Sequence, residues 1–122
     1  MPRAHAAILD GTWYGVRFIC PACSKGDPRR DGYHPHYVVL PTNNWQPEGH
    51  SPTGRQPTWS FNGDMERPTF APSVLQQYDY GPDGNRKHFV CHSFVRDGRI
   101  QYLDDCTHAM AGQTVDLPEI EY

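Results

Sequence analysis

Apolar and polar residues alternate in several short segments of the chain, and this alternation predicts β-strands. The segments are GTWYGVRFIC (11–20), HYVVL (36–40), TWSFNGD (58–64) and RPTFAPSVLQQYDY (67–80). Long helical periodicity is nearly absent, and the 12 prolines and 11 glycines among 122 residues break helices further. The sequence therefore predicts a mainly β fold in one small domain, residues 1–122.

A β-hairpin is predicted for residues 88–104. Asp97-Gly98 is a strong signal for a two-residue turn, and alternating segments flank it on both sides. This turn also sets the register of the two strands, so that Val95 faces Ile100 and side chains at every second position share a face.

The segment after the hairpin, DCTHAMA, predicts the single short helix of the chain, near residues 105–111. Asp104 or Asp105 can cap its beginning, and Gly112 can end it. Residues 41–57, rich in proline, glycine and asparagine, predict a long surface loop instead.

Composition and charge narrow the classes of function. The net charge of -3 argues against a nucleic-acid partner, and no segment is long and apolar enough for a secretory signal or a membrane span. We therefore expect a cytoplasmic protein with no membrane partner. In a reducing compartment, four cysteines more often bind a metal than form disulfides.

The four cysteines predict a Zn²⁺ site that staples a thin core. Cys20 and Cys23 form a C-x-x-C pair, whose spacing allows both thiolates to bind one tetrahedral ion. Cys91 and Cys106 lie at the two ends of the hairpin, and strand alternation places them on the same face if the second strand continues two residues further. The predicted ligands are Cys20, Cys23, Cys91 and Cys106, and the alternates for one of the last two are His36 and His108.

Two other interpretations of the cysteines compete with zinc. Four buried thiols are compatible with an ordinary core. A redox C-x-x-C needs a following helix to lower its thiol pKa, and no helical pattern follows Cys23.

Strand alternation places His92 on the face opposite to Cys91, so His92 should not bind the same ion. His92, His108 and Asp105 are candidate catalytic residues because they could converge as general acid and base. The alternative is structural, with His92 hydrogen-bonded to backbone and Asp105 capping a helix. The H-x-E motif of zinc deaminases and the H-E-x-x-H motif of metalloproteases are both absent. The sequence assigns no catalytic residue firmly and leans against an enzyme.

Three blocks, FICPAC, WSFNGDMERPTFAPSV and CHSFVRDGRIQYLDDCTHAMAGQTVDLPE, carry a resemblance to a known family. They resemble small phage and prophage proteins of unknown function that are often labelled putative ammonia monooxygenase. The resemblance implies a phage or prophage origin, expression inside a bacterium and a compact zinc-binding fold. It does not imply monooxygenase activity, since the chain has neither membrane segments nor a His-rich copper pattern.

The leading functional hypothesis is a phage or prophage accessory protein: a zinc-stabilised module that binds a host or phage protein, with Trp45 as an exposed anchor. One alternative is a small zinc-dependent, hydrolase-like enzyme that uses His92, His108 and Asp105. Another is a minor structural component of the virion. These hypotheses imply a protein partner, an oligomer in some cases, and the bacterial cytoplasm or the virion as location.

Overall fold

Two antiparallel β-sheets make up most of the structure, a computed structural model that describes residues 2–120. The first sheet has the order β1 (His5–Leu9), β2 (Thr12–Ile19), β3 (Tyr37–Leu40). The second has the order β4 (Ser60–Phe61), β5 (Phe70–Tyr80), β6 (Lys87–Arg96), β7 (Arg99–Tyr102), β8 (Thr114–Asp116). The predicted mainly β class is confirmed. None of the helices within residues 2–120 is long and apolar enough to cross a membrane.

The core lies where aromatic side chains of the two sheets meet. Phe18 of β2 packs on Phe70 of β5 with ring centroids 5.8 Å apart, and Phe61 of β4 stacks on Phe70 at 5.0 Å. From Phe89 to Val95 strand β6 alternates, so that Cys91, Ser93 and Val95 are buried while His92 and Phe94 between them are partly exposed. Burial of each large apolar side chain stabilises the fold by roughly 1.5–3 kcal/mol.

The predicted hairpin is confirmed, with β6 and β7 paired in the expected register, Val95 opposite Ile100. Its two turn residues have positive φ angles, 52° for Asp97 and 76° for Gly98, as a type I′ turn requires. A side chain at residue 98 would also meet the Cα atom of Arg67 at 3.1 Å. Aspartate and glycine are therefore well suited to these two positions.

Strand β5 carries an irregularity where it pairs with β6. Phe70 lies opposite Val95, and the next paired residue, Val74, lies opposite Ser93. Residues 71–73 of β5 thus lie opposite the single residue Phe94 of β6, which leaves two extra residues in β5 between Phe70 and Val74. A bulge of this kind changes the direction in which the intervening side chains point.

The helix predicted near residues 105–111 is wrong, because that segment consists of turns and irregular backbone. The Thr107 N–H donates to the Val90 carbonyl at 3.0 Å, and the Gly112 N–H donates to the Tyr102 carbonyl at 3.1 Å. These long-range bonds to the second sheet replace the local bonds that a helix would need.

The helix of the described chain, α1 (Pro21–Gly26), begins instead between the first two cysteines. The Sγ atom of Cys20 caps it by accepting from the Cys23 N–H, and a proline suits its first position. This differs from the expectation that no helix follows the C-x-x-C pair.

Residues 41–57 contain no named strand or helix, apart from an isolated bridge between Thr42 and Trp59. Trp45 is partly buried, with its ring edge-on to Phe61 at 5.3 Å and to Trp13 at 5.9 Å. Trp45 therefore packs against the core and does not form the exposed anchor expected from the sequence.

Candidate active site and cysteine cluster

Strand β6 separates two groups of chemically active side chains. Cys91 points into the core and is fully buried, whereas His92 points to the opposite face and keeps 24% of its side chain exposed. This is the alternation expected for consecutive residues of a strand. One strand thus contributes His92 to a group of polar side chains on the exposed face and Cys91 to a group of cysteines in the core.

On the exposed face, His92 is hydrogen-bonded through both ring nitrogens. Its Nε2 atom lies 2.9 Å from the Oγ atom of Ser73, and its Nδ1 atom lies 2.9 Å from a carboxylate oxygen of Asp105. The three side chains therefore form a continuous chain of hydrogen bonds in the order Ser73, His92, Asp105.

Two irregular segments bring the outer members of this group to His92. Ser73 lies in the bulge of β5, and its backbone carbonyl accepts from the indole N–H of Trp59 at 3.2 Å. Asp105 lies in the turn that follows β7, where the Leu103 N–H donates to the His92 carbonyl at 2.9 Å. That bond holds the start of the turn against His92.

The arrangement has the parts of an activated nucleophile. A carboxylate on Nδ1 favours the tautomer that carries its proton there, which leaves Nε2 free to accept a proton from the serine hydroxyl. The side chain of Asp105 is 58% exposed, and the group faces solvent, where a substrate could reach Ser73. Nucleophile, base and orienting carboxylate within hydrogen-bond distance are typical of covalent catalysis.

On the buried face, Cys20, Cys23 and Cys91 form a cluster whose sulfur atoms all lie within 4.8 Å of one another. The sulfurs of Cys20 and Cys91 are 3.8 Å apart, and the Tyr102 hydroxyl lies 3.3 Å from the Cys20 sulfur. All three cysteines are buried. The cluster could hold a metal ion, since a tetrahedral ion would bring thiolate sulfurs to similar separations.

Cys91 also belongs to a second group, with Cys106 and His108, whose ligand atoms again lie within 4.8 Å of one another. The Cys106 sulfur accepts from the His92 N–H at 3.2 Å and donates to the His92 carbonyl at 3.1 Å. The His108 Nδ1 atom accepts from the Met110 N–H, while its buried Nε2 atom has no hydrogen-bond partner among the described residues. This second group could likewise hold a metal ion.

The thiols in the first group depend on one another for their charge. Hydrogen bonds from the thiols of Cys23 and Cys91 lower the pKa of Cys20. In return, the interaction with Cys20 raises the pKa of Cys23 and of Cys91. Each thiolate thus disfavours a second one beside it, and a cation would be needed to hold all three as thiolates.

His108 and His36 lie apart from the exposed group. The His108 ring packs edge-on against Tyr102 with centroids 4.8 Å apart, on the core side of β6, and burial lowers its pKa. The His36 Nε2 atom lies 3.0 Å from the Gln76 side-chain oxygen, and His36 belongs to neither cysteine group. Of the three candidate catalytic residues, the structure brings together His92 and Asp105.

Ser73 is the member of the group that the sequence interpretation missed. It follows Pro72 inside a predicted strand and lies in no recognised nucleophile motif. No pattern in the sequence indicated it, because the residue directly opposite His92 in the register is Leu75 and Ser73 reaches the ring only through the bulge of β5.

One comparison with known proteins gives a match. A family model described as "Bacterial ubiquitination-like system serine protease (BubE)" matches residues 9–103, a range that includes Ser73 and His92. No curated protein and no solved structure matches the chain.

The match overturns the functional hypotheses drawn from the sequence. The family is neither phage-specific nor described as zinc-binding, so the phage accessory binding module and the virion component are wrong. The zinc-dependent enzyme is not supported either, because the family is named for a serine protease. A ubiquitination-like system does suggest a protein partner. Since the model covers most of the chain, the protein belongs to the BubE family of bacterial ubiquitination-like systems.

Proposed function

We propose that this protein is a serine protease that cleaves a protein substrate of a bacterial ubiquitination-like system. Ser73 is the nucleophile, His92 is the general base and acid, and Asp105 orients the imidazole. The observation that carries the proposal is the pair of 2.9 Å contacts that join Ser73 to His92 and His92 to Asp105. The family description independently names a serine protease.

The reaction proceeds in two steps. The Ser73 Oγ atom attacks the scissile carbonyl carbon while His92 Nε2 accepts the hydroxyl proton. The C–N bond then breaks as His92 returns that proton to the leaving amine, which leaves an ester on Ser73. In the second step a water molecule attacks the ester carbonyl while His92 accepts a proton from the water. The C–O bond to Ser73 then breaks as His92 returns that proton to the Ser73 Oγ atom, and the acid product leaves. Asp105 stabilises the imidazolium that forms in each step.

A fluorophosphonate probe tests the proposal because it forms a covalent bond with an activated serine and needs no knowledge of the substrate. Peptide mass spectrometry should place the adduct on Ser73 in the wild-type protein. Ser73→Ala and His92→Ala should abolish labelling. Ser60→Ala is the matched control, since Ser60 lies on the neighbouring strand with its hydroxyl bonded to the Ala71 carbonyl. Labelling at another serine, or none at all, would contradict the proposal.

The cysteine cluster has a separate, structural role in this proposal: it holds one Zn²⁺ ion through Cys20, Cys23 and Cys91. Three mutually close, buried sulfurs support this choice, because thiolate-rich closed sites are typical of structural zinc. The fourth ligand is Cys106 or His108. The unpartnered Nε2 atom of His108 favours the histidine, since Cys106 already bonds twice to the backbone of His92.

A further inference from the structure

Strand β5 has an open edge beside the proposed nucleophile. Its neighbour β4 pairs only with Phe70 and Ala71, at the start of the strand. Within residues 2–120, no strand pairs with β5 on that side beyond Ala71. From Pro72 as far as Tyr80, the only strand that pairs with β5 within residues 2–120 is therefore β6.

The hydrogen bonds of β6 reveal which backbone groups of β5 face this edge. Val90 uses both its N–H and its carbonyl with Thr107, at 3.0 Å each, on the side away from β5. His92 likewise directs its carbonyl and N–H to the turn that follows β7. Val90 lies opposite Gln77, and His92 lies opposite Leu75. Val90 and Gln77, and likewise His92 and Leu75, therefore form non-hydrogen-bonded pairs of the antiparallel ladder. The backbone N–H and carbonyl groups of Leu75 and Gln77 consequently point away from β6, to the open edge.

Ser73 has the same orientation as these two residues. Its carbonyl accepts from the Trp59 indole on the β4 side, which covers the edge at that position. Leu75 follows about 7 Å further along the strand, at roughly 3.3 Å per residue. The N–H and carbonyl of Leu75, the first backbone groups that are free to pair with a ligand at this edge, thus lie two residues away from the nucleophile.

A groove of about 450 Å³ runs along this edge. Residues 75–78 of β5 line one side, and the other side includes Asp27, Arg29 and His36. Asp27 bridges the two sides, because its carboxylate bonds to Arg29 at 3.0 Å and accepts from the Tyr78 hydroxyl at 3.2 Å. The charges of Asp27 and Arg29 in the groove are therefore already paired with each other. A groove of this kind suits an uncharged ligand such as a peptide backbone.

We infer that the substrate binds as an extended polypeptide segment that pairs with β5 at Leu75 and Gln77, and that this pairing places the scissile bond at Ser73. The inference rests on the proposed protease function. Addition of a strand to an exposed sheet edge takes its affinity from main-chain hydrogen bonds. The substrate class is thus an unfolded tail or linker of a protein, because a folded surface offers no free strand to the groove.

The test removes one edge donor. Gln77→Pro deletes the Gln77 N–H without breaking a β5–β6 bond, as proline is tolerated on an edge. Gln77→Ala is the matched control, since it removes the side chain and keeps the N–H. The substrates are a library of unstructured 14-residue peptides, with products identified by mass spectrometry. We expect Gln77→Pro to lower kcat/KM about tenfold at sites that the wild type cleaves, and Gln77→Ala to change it less than about twofold. Fluorophosphonate labelling of Ser73 should be equal in all three proteins.

The other outcomes of this experiment distinguish failure of the strand-pairing inference from failure of the protease function. Labelling of Ser73 without cleavage of any peptide overturns the inference, because an extended segment would then be insufficient as a substrate. Equal cleavage by Gln77→Pro and wild type overturns it as well. Failure to label Ser73 defeats the protease function itself. If Gln77→Pro does not fold, N-methylated analogues of the best peptide test the same bonds on the wild type. At least one methyl group outside the scissile bond should slow cleavage about tenfold, and no effect at any position rejects the pairing.

Discussion

Cys91 and His92 are adjacent residues of β6 whose side chains serve two different sites. The Cys91 sulfur lies 3.8 Å from that of Cys20 in the core, and the His92 Nε2 atom lies 2.9 Å from Ser73 on the outer face. The same adjacency recurs at Asp105 and Cys106, which lie on the outer and inner sides of the following turn. The backbone that carries the hydrogen-bonded triad is thus anchored by the cysteine cluster beneath it.

If the cysteine cluster holds zinc as proposed, removal of that ion should unfold the protein. Structural Zn²⁺ contributes roughly 10–16 kcal/mol in zinc-finger peptides, while a whole domain is stable by about 5–15 kcal/mol. We expect one zinc per chain by elemental mass spectrometry, and loss of both the thermal transition and Ser73 labelling after treatment with a strong chelator. Cys91→Ser should have the same effect.

The control for that prediction is Ser93→Ala, which alters the next inward-facing residue of β6, itself buried. It should keep the zinc and fold, with a loss of about 1 kcal/mol. A fully reduced, stable wild-type protein that contains no metal would contradict the zinc site.

Asp105→Asn should lower the rate of Ser73 modification by about 10³- to 10⁴-fold, because an amide does not favour the required tautomer of His92 or stabilise its cationic form. The measurement is the second-order rate constant for reaction with the fluorophosphonate. Asp104→Asn, an exposed neighbour in the same turn, should react within about twofold of wild type. Similar rates for Asp105→Asn and wild type would show that Asp105 does not orient the histidine.

The sequence predicted those parts of the site that depend on regular pairing. A single turn signal at Asp97-Gly98 determined the hairpin register, and the register separated Cys91 from His92. Ser73 could not be found in this way, because its direction depends on two extra residues in β5 and alternation does not reveal them.

The segment after the hairpin was misjudged for a related reason. Local capping residues indicated a helix near 105–111, but the Thr107 N–H bonds to the carbonyl of Val90 in β6. A contact between residues 17 positions apart outweighs weak helix propensity in a seven-residue segment. The turn so formed is what carries Asp105 to His92.

Asp27 should make stability dependent on pH in the acid range. The hydrogen bond from Arg29 lowers the pKa of Asp27 from an ordinary value near 3.8 to about 2. A carboxyl group with a lowered folded-state pKa stabilises the protein fully above the unfolded value, and this contribution is lost as pH falls through the folded one. Asp27→Asn should therefore cost roughly 1–2 kcal/mol near neutral pH, allowing for the half-exposed Arg29.

The measurement for Asp27 is chemical denaturation of both proteins between pH 7 and pH 3. The difference in unfolding free energy should be constant down to about pH 5 and about half lost by pH 3. Asp83→Asn, in an exposed turn, is the control and should show no such trend. A difference that stays constant to pH 3 would mean that the Asp27 carboxylate contributes nothing through its charge.

Two substitutions that differ in what they leave intact can identify the fourth ligand of the proposed zinc site. Cys106→Ser keeps a group able to bond to the His92 N–H and carbonyl, the two partners that the thiol has now. His108→Ala removes the buried Nε2 atom, which has no partner among the described residues. With His108 as ligand, His108→Ala should weaken zinc binding about 100-fold or more in competition with a chromophoric chelator, whereas Cys106→Ser should change it only a few-fold. The reverse pattern would assign the ligand to Cys106. In that case metal binding would act directly on the residue that follows Asp105, and Cys106→Ser would also slow the labelling of Ser73.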